Sequence, residues 1–241
     1  MSIESNLKYV NDRIAKAAIK SGRDANDIQL VAVTKTIDIQ TILTSIDLGI
    51  YNIGENRVQE LQGKYQNIDR DINWHFIGRL QSNKVKDIAD KVALIHSLDR
   101  LSLAKEINKR GRIIDRQVPV LVQVNISKEA TKAGVYEEDI IRFLDNIGSF
   151  KFLKVEGIMT MAPHVLDVEK TRPYFARMQK LFQSLSDQNY PNVDMNYLSM
   201  GMTNDFEVAI EEGANMVRIG RAIYDRPKTQ RSIPVMIYNA H

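Results

Sequence analysis

Eight short apolar runs, each separated from the next by a segment with helical spacing, leave this chain few ways to fold. The strand candidates are Leu30–Val33, Tyr51–Gly54, Trp74–Gly78, Ala93–Ser97, Val118–Ile126, Val155–Met161, Met195–Met200 and Met216–Ile223. Ahead of them, Ile3, Leu7, Val10, Ile14 and Ala18 recur at steps of three and four and stop at Gly22, the pattern of an amphipathic helix. Between the strands, Asp38 is placed to cap a helix through Ile39, Ile42, Leu43 and Ile46 that Gly49 closes. Ser82 precedes Val85 and Ile88 in the same way, and Asp99 precedes Leu101, Ala104 and Ile107, with Gly111 as the stop. Ile140, Ile141, Leu144 and Ile147 fall on one face of a later helix, and Pro173 suits the first turn of one through Phe175, Met178, Leu181, Phe182 and Leu185.

Eight strands alternating with helices in 241 residues match a single α/β domain, 1–241, folded as a (β/α)8 TIM barrel, for which roughly 250 residues is typical. A doubly wound open sheet is the competing architecture. It is disfavoured because no G-x-G-x-x-G follows the first strand and because polar residues end strands all along the chain, not at one switch point. No Pro/Gly/Ser-rich linker, short repeat or low-complexity tract divides the sequence. Its 33 basic and 30 acidic residues are interspersed and leave a net charge of +3, so no nucleic-acid partner is expected. The lack of cysteine excludes disulfides, thiol catalysis and cysteine-ligated metal, and suits a reducing compartment. With no leader-like N-terminus and no membrane-length apolar stretch, the expectation is a soluble cytoplasmic protein without membrane or metal partners. A closed barrel leaves no sheet edge to pair, so a monomer is expected.

In such a barrel the C-terminal ends of the strands converge on one face. That face would collect Lys35, Gly54-Glu55-Asn56, Trp74 to Gly78, His96-Ser97, Asn125 and Met159-Thr160-Met161. Lys35 closes the apolar run from Leu30, and an amine emerging from an apolar wall loses its proton more readily and forms Schiff bases. Tyr197 to Asp205 runs from strand through a glycine turn into a helix, offering backbone N–H groups and hydroxyls to an anion. Arg218-Ile219-Gly220-Arg221 adds a second glycine and two guanidinium groups on the last strand, and barrels commonly bind phosphate after strands seven and eight. A purely structural reading makes Gly201 and Gly220 turn residues and pairs Arg218 with an acid such as Glu55. An amine opposite a phosphate cradle fits pyridoxal 5′-phosphate, or a phosphorylated sugar held by a class I aldolase. An aldolase needs an acid/base beside the lysine. Glu55 precedes a helix, and His75, His96 and His164 read as structural, so none is assigned that role.

Several segments, in order, carry a resemblance. They are Val31 to Thr36, Gly54 to Glu60, Trp74 to Lys84, His96 to Arg100, Gly157 to Pro163, Leu198 to Asp205 and Val217 to Gly220. Together they resemble the pyridoxal phosphate homeostasis proteins, a family similar to the N-terminal barrel of alanine racemase and implicated in vitamin B6 and amino-acid balance. The resemblance implies a barrel of the alanine racemase N-terminal domain type that carries pyridoxal 5′-phosphate as an aldimine on Lys35. It implies that Ser199, Gly201 and Gly220 help hold the phosphate, that Asn56 and Met200 flank the cofactor, and that Arg218 faces the pyridine nitrogen. A guanidinium there disfavours a protonated ring and makes it a poorer electron sink. Racemases with this arrangement draw a second base from another domain, which this chain is not expected to have. Tyr174, Tyr197 and Tyr224 read as packing aromatics in its place.

Three departures from the family pattern stand out. Ile37-Asp38 replaces a second lysine and a proline, Arg221 stands where many relatives have threonine or serine, and Tyr224-Asp225-Arg226-Pro227 replaces a glycine-containing exit. Arg221 would either hold phosphate by charge instead of by hydroxyl or point away. Lys132 also matches the family, in a loop where a solvated lysine is the plain reading, and the tail 225–241 receives no role. The leading expectation is a carrier that holds the cofactor without turnover and passes it to apo-enzymes. The alternative is a single-domain racemase or a Schiff-base lyase.

Overall fold

All eight expected strands form: β1 Gln29–Val33, β2 Asn52–Glu55, β3 Asn73–Phe76, β4 Leu94–Leu98, β5 Val118–Gln123, β6 Leu153–Met159, β7 Val193–Met202 and β8 Met216–Ile219. Each pairs in parallel with its sequence neighbours, and β8 also pairs with β1, Gln29 opposite Met216 and Ala32 opposite Ile219, so the sheet closes into a barrel. The computed structural model describes residues 2–188 and 190–225. The tail that received no role therefore lies, from Arg226 onward, outside the described residues.

Among the described residues eight α-helices accompany the strands: α1 Ile3–Lys20, α2 Ile39–Asp47, α3 Val58–Asn67, α4 Leu101–Ile113, α5 Ile140–Ile147, α6 Arg172–Ser186, α7 Phe206–Glu211 and α8 Arg221–Tyr224. Strand alternation sorts the apolar residues into two sets. Val31, Leu94, Leu121, Met159 and Met216 form a cluster inside the barrel, with Tyr197 against it. Ala32, Ile95, Val120, Val122, Ile158, Leu198, Val217 and Ile219 face outward and pack under the helices. α1 lies across the closing seam, where Asn6 Nδ2 donates to Ile223 O at 2.9 Å and Arg13 Nε to Glu207 Oε1 at 3.0 Å.

Local signals held where a side chain had nothing better to do. Asp38 Oδ1 accepts from Thr41 N at 2.9 Å, as expected of a cap, and Gly49 turns the chain at φ 91°. Other boundaries moved. Ser82 begins a 3-10 turn, Ser82–Asp87, whose N-cap is Gln81. Asp99 does not cap α4, because its carboxylate is drawn into ion pairs with Arg100 and Arg79. Gly111 lies inside α4, buried where an added Cβ would stand 2.6 Å from Phe152 O, so close packing explains it better than a helix stop. Ile141 is 48% exposed, one step off the face that Ile140, Leu144 and Ile147 bury. The last expected strand ends at Ile219, and Arg221–Tyr224 turns into α8 after Gly220.

Candidate functional site

Val31 sits in the barrel interior, and two further steps along the same face reach Val33 and then Lys35, which both line a cleft of about 810 Å³ at the C-terminal mouth. The backbone around Lys35 is clamped from α3 and β2. Thr34 Oγ1 donates to Glu55 Oε1 at 2.5 Å, Lys64 Nζ donates to Thr34 O at 2.8 Å and to Glu55 Oε1 at 2.7 Å, and Thr36 N donates to Glu60 Oε2 at 3.0 Å. Thr36 takes φ 63°, turning the chain away from the barrel directly after Lys35. Lys35 is exposed, not walled in as its strand had led us to expect, because the β1 ladder ends at Val33 and this turn carries the lysine to the rim. Glu55 is committed to Lys64, not to Arg218, and burial pushes its carboxyl up while Lys64 and Thr34 pull the other way.

The opposite wall comes from β7 and β8. Met202, Thr203, Asn204, Asp205, Arg218, Gly220 and Arg221 line it, with Arg13 of α1 nearby. Neither α7 nor α8 has a side-chain cap, and among the described residues the backbone N–H groups of Thr203, Asn204 and Arg221 have no acceptor. Asp205 does not reach them: its Oδ1 accepts from Met202 N at 2.7 Å, closing the turn. Burial pushes the Asp205 carboxyl up against that hydrogen bond and the charge of Arg218. Gly201 (φ 92°) would put a Cβ 2.7 Å from Ala209 Cβ, and Gly220 one 2.9 Å from Val33 O. Both glycines are thus required by the chain's own packing at the cradle, whatever fills it.

Arg218 is 4% exposed on the cleft floor, with Nη1 donating to Ser199 Oγ at 2.5 Å and Nη2 to Thr160 O at 2.8 Å. Burial lowers its guanidinium to about 10, with Asp205 opposing, and it stays cationic at neutral pH. Ser199 is fully buried one layer below the mouth, so its hydroxyl serves Arg218 and not the cleft surface. Met200 faces the other way. It is buried in the outer core under the helices, since it alternates with Ser199 along β7, and its side chain cannot flank a ligand in the cleft. Asn56 lines a neighbouring concavity of about 490 Å³ with Arg57, Arg79, Lys84 and Arg100, and its Oδ1 is buried without a partner among the described residues. Arg221 does line the cleft, exposed beside Gly220. Lys132 lies at the rim, its Nζ donating to the cleft-lining Ala162 O at 3.1 Å. Tyr174, Tyr197 and Tyr224 are packed against the core and none lines the cleft; burial pushes the Tyr224 phenol up to about 12.

Residues 6–227 match the family model of the alanine racemase N-terminal domain. A pyridoxal phosphate homeostasis protein of Aquifex aeolicus is 44% identical over 223 residues, covering 92% of this chain and 97% of its own length. The chain belongs to the pyridoxal phosphate homeostasis family of alanine racemase N-terminal barrels. Among solved structures, a Bifidobacterium adolescentis protein superposes at TM-score 0.86 with 36% identity, covering 92% of this chain and 94% of that one. PipY of Synechococcus elongatus, solved with pyridoxal phosphate bound, superposes at 0.80 with 28% identity over 92% of this chain and all of its own. Family membership accounts for the (β/α)8 fold. Arg13 reaches the mouth only through the packing of α1 on α7 and α8, which left no signal in the sequence, and His164, read as structural, lines the cleft from the loop after β6.

Proposed function

We propose that this chain holds pyridoxal 5′-phosphate at the mouth of its barrel, keeps its aldehyde from other amines and takes part in its intracellular homeostasis. When bound, the cofactor supplies an aldehyde for a primary amine and a phosphate dianion for a cationic cradle. One observation carries the reading: the cleft that Lys35 lines on one side has Arg13, Arg218, Arg221 and the uncapped turn at Thr203 and Asn204 on the other. Its volume of about 810 Å³ suits a small ligand. Lys35 Nζ is the amine that takes the aldehyde. Gly201 and Gly220 let the backbone approach the phosphate, and Arg221 adds charge beside them. Arg218 is assigned to the ring nitrogen, where a cation disfavours a proton and restrains carbanion chemistry. Ser199 acts through Arg218, and Met200 contributes at most its backbone.

The reading treats residues 1–241 as one cofactor-binding domain that works without turnover and donates the cofactor to apo-enzymes. No described helix is long and apolar enough to cross a membrane. The test is an absorbance spectrum before and after borohydride reduction, followed by mass spectrometry of the Lys35 peptide. A visible band that reduction removes, with the phosphopyridoxyl mass on Lys35, supports the reading. No band after adding pyridoxal phosphate overturns it. Amino-acid racemisation at enzyme-like rates that Lys35→Ala abolishes would replace the carrier with an enzyme.

A further inference from the structure

A file of buried polar side chains crosses the barrel beneath the cleft, and the cofactor reading leaves most of it unused. Arg218 Nη1 contacts Ser199 Oγ at 2.5 Å, Ser199 Oγ contacts His96 Nδ1 at 3.3 Å, His96 Nε2 contacts His75 Nδ1 at 3.0 Å, and His75 Nε2 contacts Asn52 Oδ1 at 3.2 Å. Ser199 and His96 are fully buried and His75 is 3% exposed, so water does not compete for these groups. The two imidazoles meet edge to face, with centroids 5.2 Å apart.

The proton positions along this file follow from valence. A guanidinium only donates, so Ser199 Oγ accepts from Arg218; a hydroxyl has a second lone pair, and the far end of the file decides where its proton goes. At that end Asn52 Oδ1 only accepts, so His75 donates from Nε2 and accepts on Nδ1, His96 donates to it from Nε2, and Ser199 Oγ turns its proton to the bare His96 Nδ1. Asn73 Nδ2 also donates to Asn52 Oδ1 at 3.1 Å, in the same orientation of that amide. Every bond points away from Arg218. The file ends in an amide oxygen, which accepts two donors and passes no proton on, so it holds groups in place and does not conduct.

We propose that His75 and His96 are positioning residues for the cofactor ring: as neutral Nε2–H tautomers they orient the Ser199 hydroxyl, which holds Arg218 against the cleft floor at a fixed angle. Thr160 O, accepting from Nη2, fixes the second edge of the same guanidinium. Neutral rings are required, because an imidazolium at His96 would have no lone pair for Ser199 and would place a second cation behind Arg218. The proposal rests on the cofactor reading for its purpose but not for its geometry.

The geometry is tested first on the protein without cofactor, by long-range proton–nitrogen correlation spectra of histidine-labelled chain assigned with His75→Gln and His96→Asn. Two rings with Nε2 protonated and Nδ1 bare are expected at neutral pH, and Ser199→Ala should remove the hydrogen-bond shift at His96 Nδ1. A proton on Nδ1 of either ring, or an imidazolium, overturns the file as drawn. The purpose is tested with pyridoxal phosphate added. Ser199→Ala should shift the band of the bound cofactor and weaken binding roughly tenfold, the loss of one hydrogen bond to a charged group. His96→Asn, which keeps an acceptor near the Nδ1 position, should fall between Ser199→Ala and the wild type. Unchanged band and affinity in folded Ser199→Ala would overturn the positioning role. No band in the wild type, with both tautomers as drawn, would overturn the cofactor reading and leave the file as structure alone.

Discussion

Lys64 does more for the setting of Lys35 than any residue of β1, since its ammonium holds both the Glu55 carboxylate and the carbonyl just before Lys35. Lys64→Met leaves a carboxylate buried without its cation, for which a cost of about 3–5 kcal/mol is typical, measurable by urea unfolding at neutral pH. Glu55 is already pushed up by burial, so in this variant the folded state takes up its proton more readily than the unfolded chain. The loss should therefore shrink as pH is lowered, and a loss independent of pH would refute this account. His75 behaves in the opposite sense. Burial holds it down to about 4, while the unfolded chain binds a proton below ~6.5. Its contribution is complete above ~6.5 and is lost as pH falls toward 4, on the order of 3 kcal/mol at the lower end. The fall in stability between these limits should be shallower in His75→Gln than in the wild type, read from denaturant midpoints.

Glycines at the element scale divide into those the barrel needs and one it would be better without. At Gly157 in β6, φ is 141° and an added Cβ would stand 2.0 Å from Tyr197 O of β7, so the two backbones meet with no room for a side chain. Gly63, exposed inside α3, has nothing within 4 Å. Gly157→Ala is expected to cost about 3 kcal/mol or more, and Gly63→Ala to add about 1 kcal/mol through helix propensity alone. Equal effects of the two in thermal unfolding would show that the contact between β6 and β7 does not constrain the barrel. The helix ends teach a related lesson. Asp38 was legible as a cap because it has no competing partner, whereas Asp99 has the chemistry of a cap but is claimed by Arg79 and Arg100, one of them 20 positions earlier in the chain.

At the scale of the molecule, closure decides how the fold comes apart. Every strand pairs on both sides, so no strand can leave without breaking two ladders. Fluorescence of Trp74, the single tryptophan, buried on β3, should therefore report the same transition as far-ultraviolet dichroism. Separated midpoints would mean that part of the barrel opens first. Apolar periodicity determined the eight strands, because burial on both faces of a parallel strand writes itself as a local apolar run, and chain length with the missing G-x-G-x-x-G selected the closed barrel whose mouth gathers Lys35, Arg218, Gly220 and Arg221. The residue-level placements needed the tertiary structure. Ser199 and Met200 are neighbours with opposite fates, one turned in to Arg218 and the other out under the helices, and which is which depends on the register of β7 in the closed sheet. Arg13 reaches the cleft only through helix packing across the seam, and His75 and His96, read as plain structural residues, meet only because β3 and β4 pair. A sequence records which residues must be buried, while contacts between residues distant in the chain are fixed only when the barrel closes.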